Sequence, residues 1–225
     1  MPENLVTRLA RLSVAGLADI FDGRCSVPPV LSREMKPVGN PCRFAGPAYC
    51  VKGSKLNNAG WLPVSSERDA LYDALDLQVP VGAVLLFDCG GYDDTAVFGG
   101  GAGVPLKMRG CAGVIVDGAV RDIEELVREG PPTLARAVSA IRFVGRFRLT
   151  ATNCPIEIRG LAGPIAVSPQ DLVLADHDGV IILPRALAED LIAEAEHAKN
   201  IDAQIKAEVL RGMSRLDAGR KHRPR

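Results

Sequence analysis

The sequence predicts an α/β fold in which strands of one sheet alternate with helices and neighbouring strands run parallel. Two apolar runs, at 83–87 and 111–116, have the length and composition of buried strands. Each is followed by a segment with helical features, at 106–109 and at about 122–129. This strand–helix–strand–helix order is typical of a sheet whose parallel neighbours are connected through helices.

The composition is that of one soluble globular domain. The chain has 225 residues, enough for a full core, of which 47% are apolar and 24% charged. Lys and Arg number 27, as do Asp and Glu, and this balance disfavours nucleic acid and anionic membranes as partners. We therefore expect a single domain over 1–218 and a disordered basic tail at 219–225.

The cysteines and the N-terminal residues bear on the compartment. The six cysteines form no C-x-x-C pair and have no regular spacing, which indicates free thiols in a reducing cytosol. The opening residues lack a signal-peptide core, and no stretch approaches the roughly 20 apolar residues of a membrane-spanning helix. The sequence therefore predicts a cytoplasmic protein that does not cross a membrane.

Apolar periodicity and turn residues predict the elements of the N-terminal half. We expect two helices within 3–22, the second capped by Ser13, and then turn-rich chain over 25–46. A strand at 48–51 is followed by a loop at 54–65, in which Trp61 is a packing anchor or a pocket wall. The next element is a helix at 67–77 with Leu71, Leu75 and Leu77 facing inward.

The C-terminal part is expected to contain short strands and one long helix. The expected strands lie at 156–158, 165–167, 172–175 and 180–183, the last two joined by a hairpin turn in which His177 is exposed. The helix covers about 185–211, and its apolar stripe indicates core packing or a subunit interface. Asp202 falls within that stripe, where a buried carboxylate would need a partner.

A glycine segment (residues 99–103) precedes the short helix at 106–109. It contains Gly99, Gly100, Gly101 and Gly103, and glycines before a helix allow backbone N–H groups to approach an anion. Neither a G-x-G-x-x-G nor a Walker pattern is present, so nucleotide binding has little support. A site for a small carboxylate or phosphate and a close backbone crossing remain equal alternatives.

Arg121 and Asp122 follow the apolar strand at 111–116. A cation beside an anion at the end of a buried strand can hold a substrate carboxylate and a metal ion together. The structural alternative is that Asp122 and Glu125 form an Asp-x-x-Glu capping box and that Arg121 is a solvated surface residue. Both interpretations remain open on these residues alone.

Six segments of the sequence form a recognisable set: GAVLLFD at 82–88, AVFG at 96–99, GCAGVIVDGAVRD at 110–122 and DHDGVIILP at 176–184, with SVAGLAD at 13–19 and AGPA at 45–48. They resemble the RraA-like family, which includes the regulator of ribonuclease activity A and metal-dependent aldolases acting on 4-hydroxy-4-methyl-2-oxoglutarate and 4-carboxy-4-hydroxy-2-oxoadipate. The similarity covers about residues 13–215, and its most specific part is the Gly-Ala-Val-Arg-Asp sequence ending at Asp122.

The resemblance implies a swivelling β/β/α-type domain with N-terminal helices and a long C-terminal helix. It also implies a homotrimer or homohexamer with active sites between subunits. The implied activity is that of a lyase that uses Mg²⁺ or Mn²⁺ and acts on a small 2-oxo acid through a pyruvate enolate. Aldol cleavage and oxaloacetate decarboxylation both pass through that enolate, so one site can support either reaction.

The resemblance also implies roles for individual residues. Arg121 would bind the pyruvyl carboxylate and the enolate oxygen, and Asp122 would hold the cation. A neighbouring subunit would contribute a further carboxylate, Asp202. The residues implied to line the substrate site are Gly99, Gly100, Gly101, Ala102 and Gly103.

Two departures from the aldolase pattern affect these implications. The position twenty intervening residues before Arg121 is Gly100, where the pattern has an aspartate. Asp93 and Asp94 are nearby carboxylates that could compensate. In addition, Asp202 stands where the aldolases have a glutamate. Two alternatives therefore stay open: a non-catalytic regulator that binds a partner, and a family member with different chemistry.

Overall fold

The computed structural model describes residues 4–22, 24–25, 27–39, 43–56 and 70–223, and these form a mixed α/β fold. The strands are β1 Lys36–Pro37, β2 Phe44–Lys55, β3 Val84–Asp88, β4 Ala96–Phe98, β5 Gly113–Val120, β6 Thr133–Val138, β7 Phe147–Thr152, β8 Ile156–Arg159, β9 Pro164–Val167, β10 Leu172–Asp176 and β11 Gly179–Leu183. The helices are α1 Leu5–Leu9, α2 Val14–Phe21, α3 Ala70–Asp73, α4 Leu75–Gln78, α5 Gly100–Met108, α6 Ile123–Glu129, α7 Ala188–Leu210 and α8 Arg215–His222.

Nine of these strands form one sheet, and β8 and β9 form a separate hairpin. The main path of the sheet is β1-β6-β5-β3-β2-β10-β11, with β4 paired to β5 and β7 paired to β2. Strands β2, β3, β5 and β6 pair in parallel, which confirms the parallel sheet predicted from the sequence. The β10–β11 hairpin continues the sheet in antiparallel pairing.

The central strands are covered on both faces, which explains why their sequences read as continuous apolar runs. Every residue of β3 and β5 is buried. One face carries Phe87, Phe98 and Leu106, and the other packs against the β8–β9 hairpin through Ile158. Helices α1, α2 and α7 pack on the β10–β11 hairpin in a third apolar cluster.

Several local predictions are confirmed. The Ser13 side chain accepts a hydrogen bond from the Gly16 amide at 3.1 Å and so caps α2. His177 is exposed in the turn between β10 and β11. The five cysteines in the described residues are free, and three of them are buried. Burial raises the pKa of the Cys50 thiol to about 12, so this thiol stays protonated at neutral pH.

The N-terminal half differs from prediction in its boundaries. Residues 70–78 form two short helices, α3 and α4, and Leu77 is 66% exposed, so its predicted inward orientation is wrong. The predicted strand at 48–51 is the middle of the twelve-residue strand β2, which includes 54–55 of the predicted loop. Trp61 lies outside the described residues.

The C-terminal end also differs. The prediction of a disordered basic tail is wrong for 219–222, because these residues complete α8. Ala218 of that helix is fully buried, and the Lys221 ammonium lies 2.6 Å from the Glu208 carboxylate of α7. Among the described residues, no helix combines the length and the apolar character needed to cross a membrane.

Candidate functional site

The candidate site lies where β4 and β5 end and the chain turns into α5 and α6. The two strands pair in parallel, with Phe98 opposite Val120, so Gly99 and Arg121 leave the sheet side by side. The Arg121 amide donates a hydrogen bond to the Phe98 carbonyl at 3.0 Å, which continues the pairing by one residue. The carboxyl ends of parallel strands are the usual place for ligand sites in α/β sheets.

Asp122 adopts a left-handed backbone conformation, with φ of 56° and ψ of 44°. It occupies the N-cap position of α6, but its side chain makes no capping hydrogen bond. The capping-box interpretation of Asp122 is therefore wrong. A left-handed conformation at a residue other than glycine costs on the order of 1–3 kcal/mol, and such residues cluster at active sites and ligand-binding sites.

The Asp122 carboxylate is instead turned toward Arg121. Arg121 Nε lies 3.1 Å from Asp122 Oδ2, and the two side chains are 38% and 34% exposed. This contact uses one of the five guanidinium donors and one of the two carboxylate oxygens. The remaining donors and the second oxygen have no hydrogen-bond partner among the described residues, so they could contact a substrate and a cation.

The glycine segment crosses this pair at close range. A Cβ atom at Gly99 would lie 2.8 Å from Asp122 Oδ2 and 2.9 Å from the Arg121 Cγ atom. A Cβ atom at Gly100 would lie 1.9 Å from Glu125 Oε2. The close backbone crossing predicted as one alternative is therefore present, and it follows from the side chains that the two glycines face.

Helix α5 begins within the glycine segment, at Gly100, earlier than the sequence predicted. The Ala102 and Gly103 amides both donate to the Gly99 carbonyl, at 3.1 and 2.9 Å. The amides of Gly100 and Gly101 precede the first of these bonds, as the orphan donors of a helix N-terminus do. Anion binding by these two amides is compatible with the close crossing and stays a prediction.

The donor set suits a hard divalent cation. Asp122 and Glu125 supply carboxylate oxygens beside the glycine segment, and Mg²⁺ is commonly held by one or two carboxylates and several waters. In the part of the chain that the structure describes, no group of three or more His, Cys, Asp or Glu side chains has an arrangement that could hold a metal. One chain therefore offers a partial ligand set that water, substrate or another subunit would complete.

Asp202 lies on α7 and is 63% exposed in the single chain, so the apolar stripe does not bury it in the core of its own chain. Its ion-pair partner is Arg223, which follows α8. Asp202 also lines a cleft of about 1030 Å³ between α2 and α7, whose lining includes neither Arg121 nor Asp122. Within one chain the structure does not bring Asp202 to Asp122.

The two carboxylates that could compensate for Gly100 are engaged elsewhere. The Asp94 carboxylate lies 2.8 Å from the Lys55 ammonium, and Asp93 lies 3.8 Å from an Arg136 guanidinium nitrogen. The side chain that does reach Gly100 is Glu125, which the sequence analysis considered only as part of a capping box. The sequence feature that could have indicated its place in the site is its three-residue spacing from Asp122, because residues three apart lie on the same face of a helix.

A second charged cluster lies near the ends of β3 and β5, and the sequence analysis missed it. Burial raises the pKa of the Asp117 carboxyl, and the Arg136 guanidinium at 3.3 Å opposes that shift. Arg136 also pairs with Glu34 at 3.3 Å, and Lys52 lies 3.6 Å from the buried Asp88. The only feature of the sequence that indicated buried charge here is that Asp88 and Asp117 each lie within or beside a run of apolar strand residues. We interpret the cluster as an ion-pair network that compensates buried charge.

Comparison with known proteins identifies relatives among the aldolases and RraA proteins. The family model described as RraA-like, Aldolase/RraA, matches residues 14–182. A Burkholderia mallei protein named as a candidate 4-hydroxy-4-methyl-2-oxoglutarate aldolase is 32% identical over 160 residues, which cover 71% of this chain and 87% of that protein. Legionella pneumophila Protein DlpA is 24% identical over 93% of this chain, which spans only 32% of its length.

A solved structure supports the fold. The Streptomyces coelicolor protein RraAS2, described as an unusual member of the RNase ES inhibitor RraA protein family, superposes with a TM-score of 0.74. The match covers 90% of this chain and 96% of that one at 22% identity. At this identity the likeness establishes the fold alone.

Proposed function

Because the chain belongs to the RraA-like family, we propose that it is a lyase that requires a divalent metal and cleaves a small 2-oxo acid through a pyruvate enolate. The proposed reactions are aldol cleavage of substrates like 4-hydroxy-4-methyl-2-oxoglutarate and decarboxylation of oxaloacetate. The observation that carries this proposal is the Arg121–Asp122 pair. Asp122 has a left-handed backbone, and its carboxylate contacts the Arg121 guanidinium and does not cap α6.

Arg121 would bind and orient the substrate. A guanidinium presents donors in a planar fork that matches a carboxylate, and it can also donate to an adjacent oxygen on which negative charge develops. The Arg121 backbone is held at the strand end by the hydrogen bond that its N–H donates to the Phe98 carbonyl, and its guanidinium is oriented by the contact with Asp122, so its remaining donors would be positioned before the substrate binds. The Gly100 and Gly101 amides, with Ala102 and Gly103 behind them, would complete the carboxylate site.

Asp122 would hold the divalent cation, Mg²⁺ or Mn²⁺. When bound, such a cation supplies Lewis-acid stabilisation of an enolate oxygen without a proton transfer. The residues fit this group because Asp122 is ionisable, partly exposed and not consumed by helix capping. We propose that Asp202 of a neighbouring subunit adds a carboxylate in a cytoplasmic homotrimer or homohexamer. The exposed apolar residues Val209, Leu210 and Leu216 near the ends of α7 and α8 are compatible with such contacts.

The alternative is a non-catalytic regulator that binds another protein. It is favoured because the family model that matches this chain is named for RraA as well as for the aldolases. The two functions make opposite predictions about metal-dependent turnover, so one assay separates them.

The deciding experiment measures pyruvate release from oxaloacetate and from 4-hydroxy-4-methyl-2-oxoglutarate with Mg²⁺, with Mn²⁺ and with EDTA. We expect turnover above the rate of the metal alone, and its loss in EDTA, because the enolate charge would then lack its counter-charge. Absence of turnover on both substrates, in protein whose oligomeric state has been checked, would contradict the lyase and favour the regulator.

Arg121→Lys tests the assignment of the guanidinium. Lysine keeps the positive charge but cannot present two parallel donors to a carboxylate. We expect kcat/KM for pyruvate release to fall by roughly 10–100-fold, in line with the 1–3 kcal/mol of a bidentate charged hydrogen bond. Arg109→Lys is the control, because Arg109 pairs with Asp76 on the surface away from the site. Equal kinetics for Arg121→Lys and the wild type would exclude Arg121 from substrate binding.

A further inference from the structure

The space beside Gly100, where a side chain would lie, is occupied by the side chain of Glu125. The three atoms nearest to a Cβ built on Gly100 all belong to Glu125, namely Oε2 at 1.9 Å, Cδ at 2.3 Å and Cγ at 2.9 Å. The backbone at Gly100 is not in the left-handed region, so its conformation would accept another residue. What excludes a side chain there is the Glu125 carboxylate, which occupies the space itself.

From this geometry we infer that Glu125 is the second carboxylate of the cation site and supplies from α6 the negative charge that position 100 lacks. The inference rests on the proposed function, because it names a further residue of the same site. Glu125 lies in the first turn of α6, three residues after Asp122. The two carboxylates face adjacent residues of the glycine segment, Asp122 against Gly99 and Glu125 against Gly100.

The surroundings of Glu125 leave its carboxylate available. Glu125 is partly buried and, in the described part of the chain, its side chain forms no hydrogen bond and no ion pair. The nearest basic residue along α6, Arg128, pairs with Glu129 at 2.7 Å and attracts Glu125 only at longer range. A half-buried carboxylate without a close partner, beside a second carboxylate, is stabilised when a cation binds between them.

The test is a titration of the purified protein with Mn²⁺, in which the free ion is measured by electron paramagnetic resonance. We expect Glu125→Gln to raise the Mn²⁺ dissociation constant by about 10–100-fold, the range found when a residue that supports a metal site is removed. Glu124→Gln is the matched control, because it removes the same charge from the exposed neighbour. Its effect should stay within about twofold, as for an exposed charge. Equal dissociation constants for Glu125→Gln and the wild type, or no Mn²⁺ binding by the wild type, would overturn the inference.

A relocation of the carboxylate separates a ligand from a merely structural residue. Glu125→Ala should lose Mn²⁺ affinity and also open the space above Gly100. Adding Gly100→Asp to Glu125→Ala should restore at least about tenfold of that affinity, because the charge returns to the same place. Failure of the double variant to recover affinity, with an unchanged circular dichroism spectrum, would contradict the inference.

The same titration distinguishes this inference from the proposed function. Mn²⁺ binding that depends on Glu125, without pyruvate release from either substrate, would sustain the ligand assignment and reject the lyase. Pyruvate release together with Mn²⁺ binding that Glu125→Gln leaves unchanged would sustain the lyase and reject Glu125 as a ligand.

Discussion

Asp122→Asn is expected to reduce kcat/KM for metal-dependent pyruvate release by about 10³-fold or more. The variant would leave no ionised carboxylate at the position that is proposed to hold the cation. The several kcal/mol of charge stabilisation that a metal ion supplies would then be lost. Asparagine has the size of aspartate and also tolerates a left-handed conformation, so the turn between β5 and α6 should be retained. The measurement is steady-state pyruvate release with saturating Mg²⁺ or Mn²⁺.

The control for this prediction is Asp94→Asn. Asp94 is 65% exposed, and its partner is Lys55, so the change removes a carboxylate from the surface without touching the Arg121–Asp122 pair. Its kinetics should match those of the wild type. If Asp122→Asn kept wild-type turnover, the left-handed aspartate would have to be explained by the fold alone, and the cation would have to be placed elsewhere.

The central sheet could be predicted because burial on both faces leaves a direct mark on the sequence. Apart from Asp88 and Asp117, strands β3 and β5 contain only apolar residues and glycine, and their parallel pairing follows from the helices that connect them. Strands β6 and β7 left weaker marks, because each has polar positions and a mixed burial pattern. Helix α5 was shortened in the prediction because glycines have low helix propensity, whereas its first turn is fixed by contacts with β5 and α6.

The candidate site could be proposed from the sequence, but the positions of its side chains relative to one another could not. Arg121 and Asp122 are neighbours in the chain, so their contact needed no knowledge of the fold. Asp-x-x-Glu favours a capping box on propensity alone, and only the structure shows that the Asp122 side chain makes no capping hydrogen bond and contacts Arg121 instead. The closeness of Glu125 to Gly100 depends on how α5 and α6 pack, which no local pattern encodes.

Phe98→Ala is expected to lower the free energy of unfolding by about 3–5 kcal/mol, the usual cost of emptying a large aromatic site in a core. Phe98 is 1% exposed and packs against Phe87, with 5.7 Å between the ring centroids. Strand β4 has only three residues, all buried, and Phe98 has the largest side chain among them. The measurement is urea denaturation at fixed protein concentration, because assembly into oligomers would make the midpoint depend on concentration.

Phe98→Ala should also affect the site, because the Phe98 carbonyl accepts the Arg121 amide and Gly99 follows directly. At a temperature where the variant is still folded, we expect Mn²⁺ affinity and kcat/KM to fall together. A less firmly packed β4 would displace both the glycine segment and the Arg121–Asp122 pair. Leu77→Ala is the control, because Leu77 is 66% exposed and its loss should change stability by less than about 0.5 kcal/mol. A Phe98→Ala protein with wild-type stability would show that Phe98 packing does not hold β4 in the core. It would also contradict the argument that this packing positions Arg121.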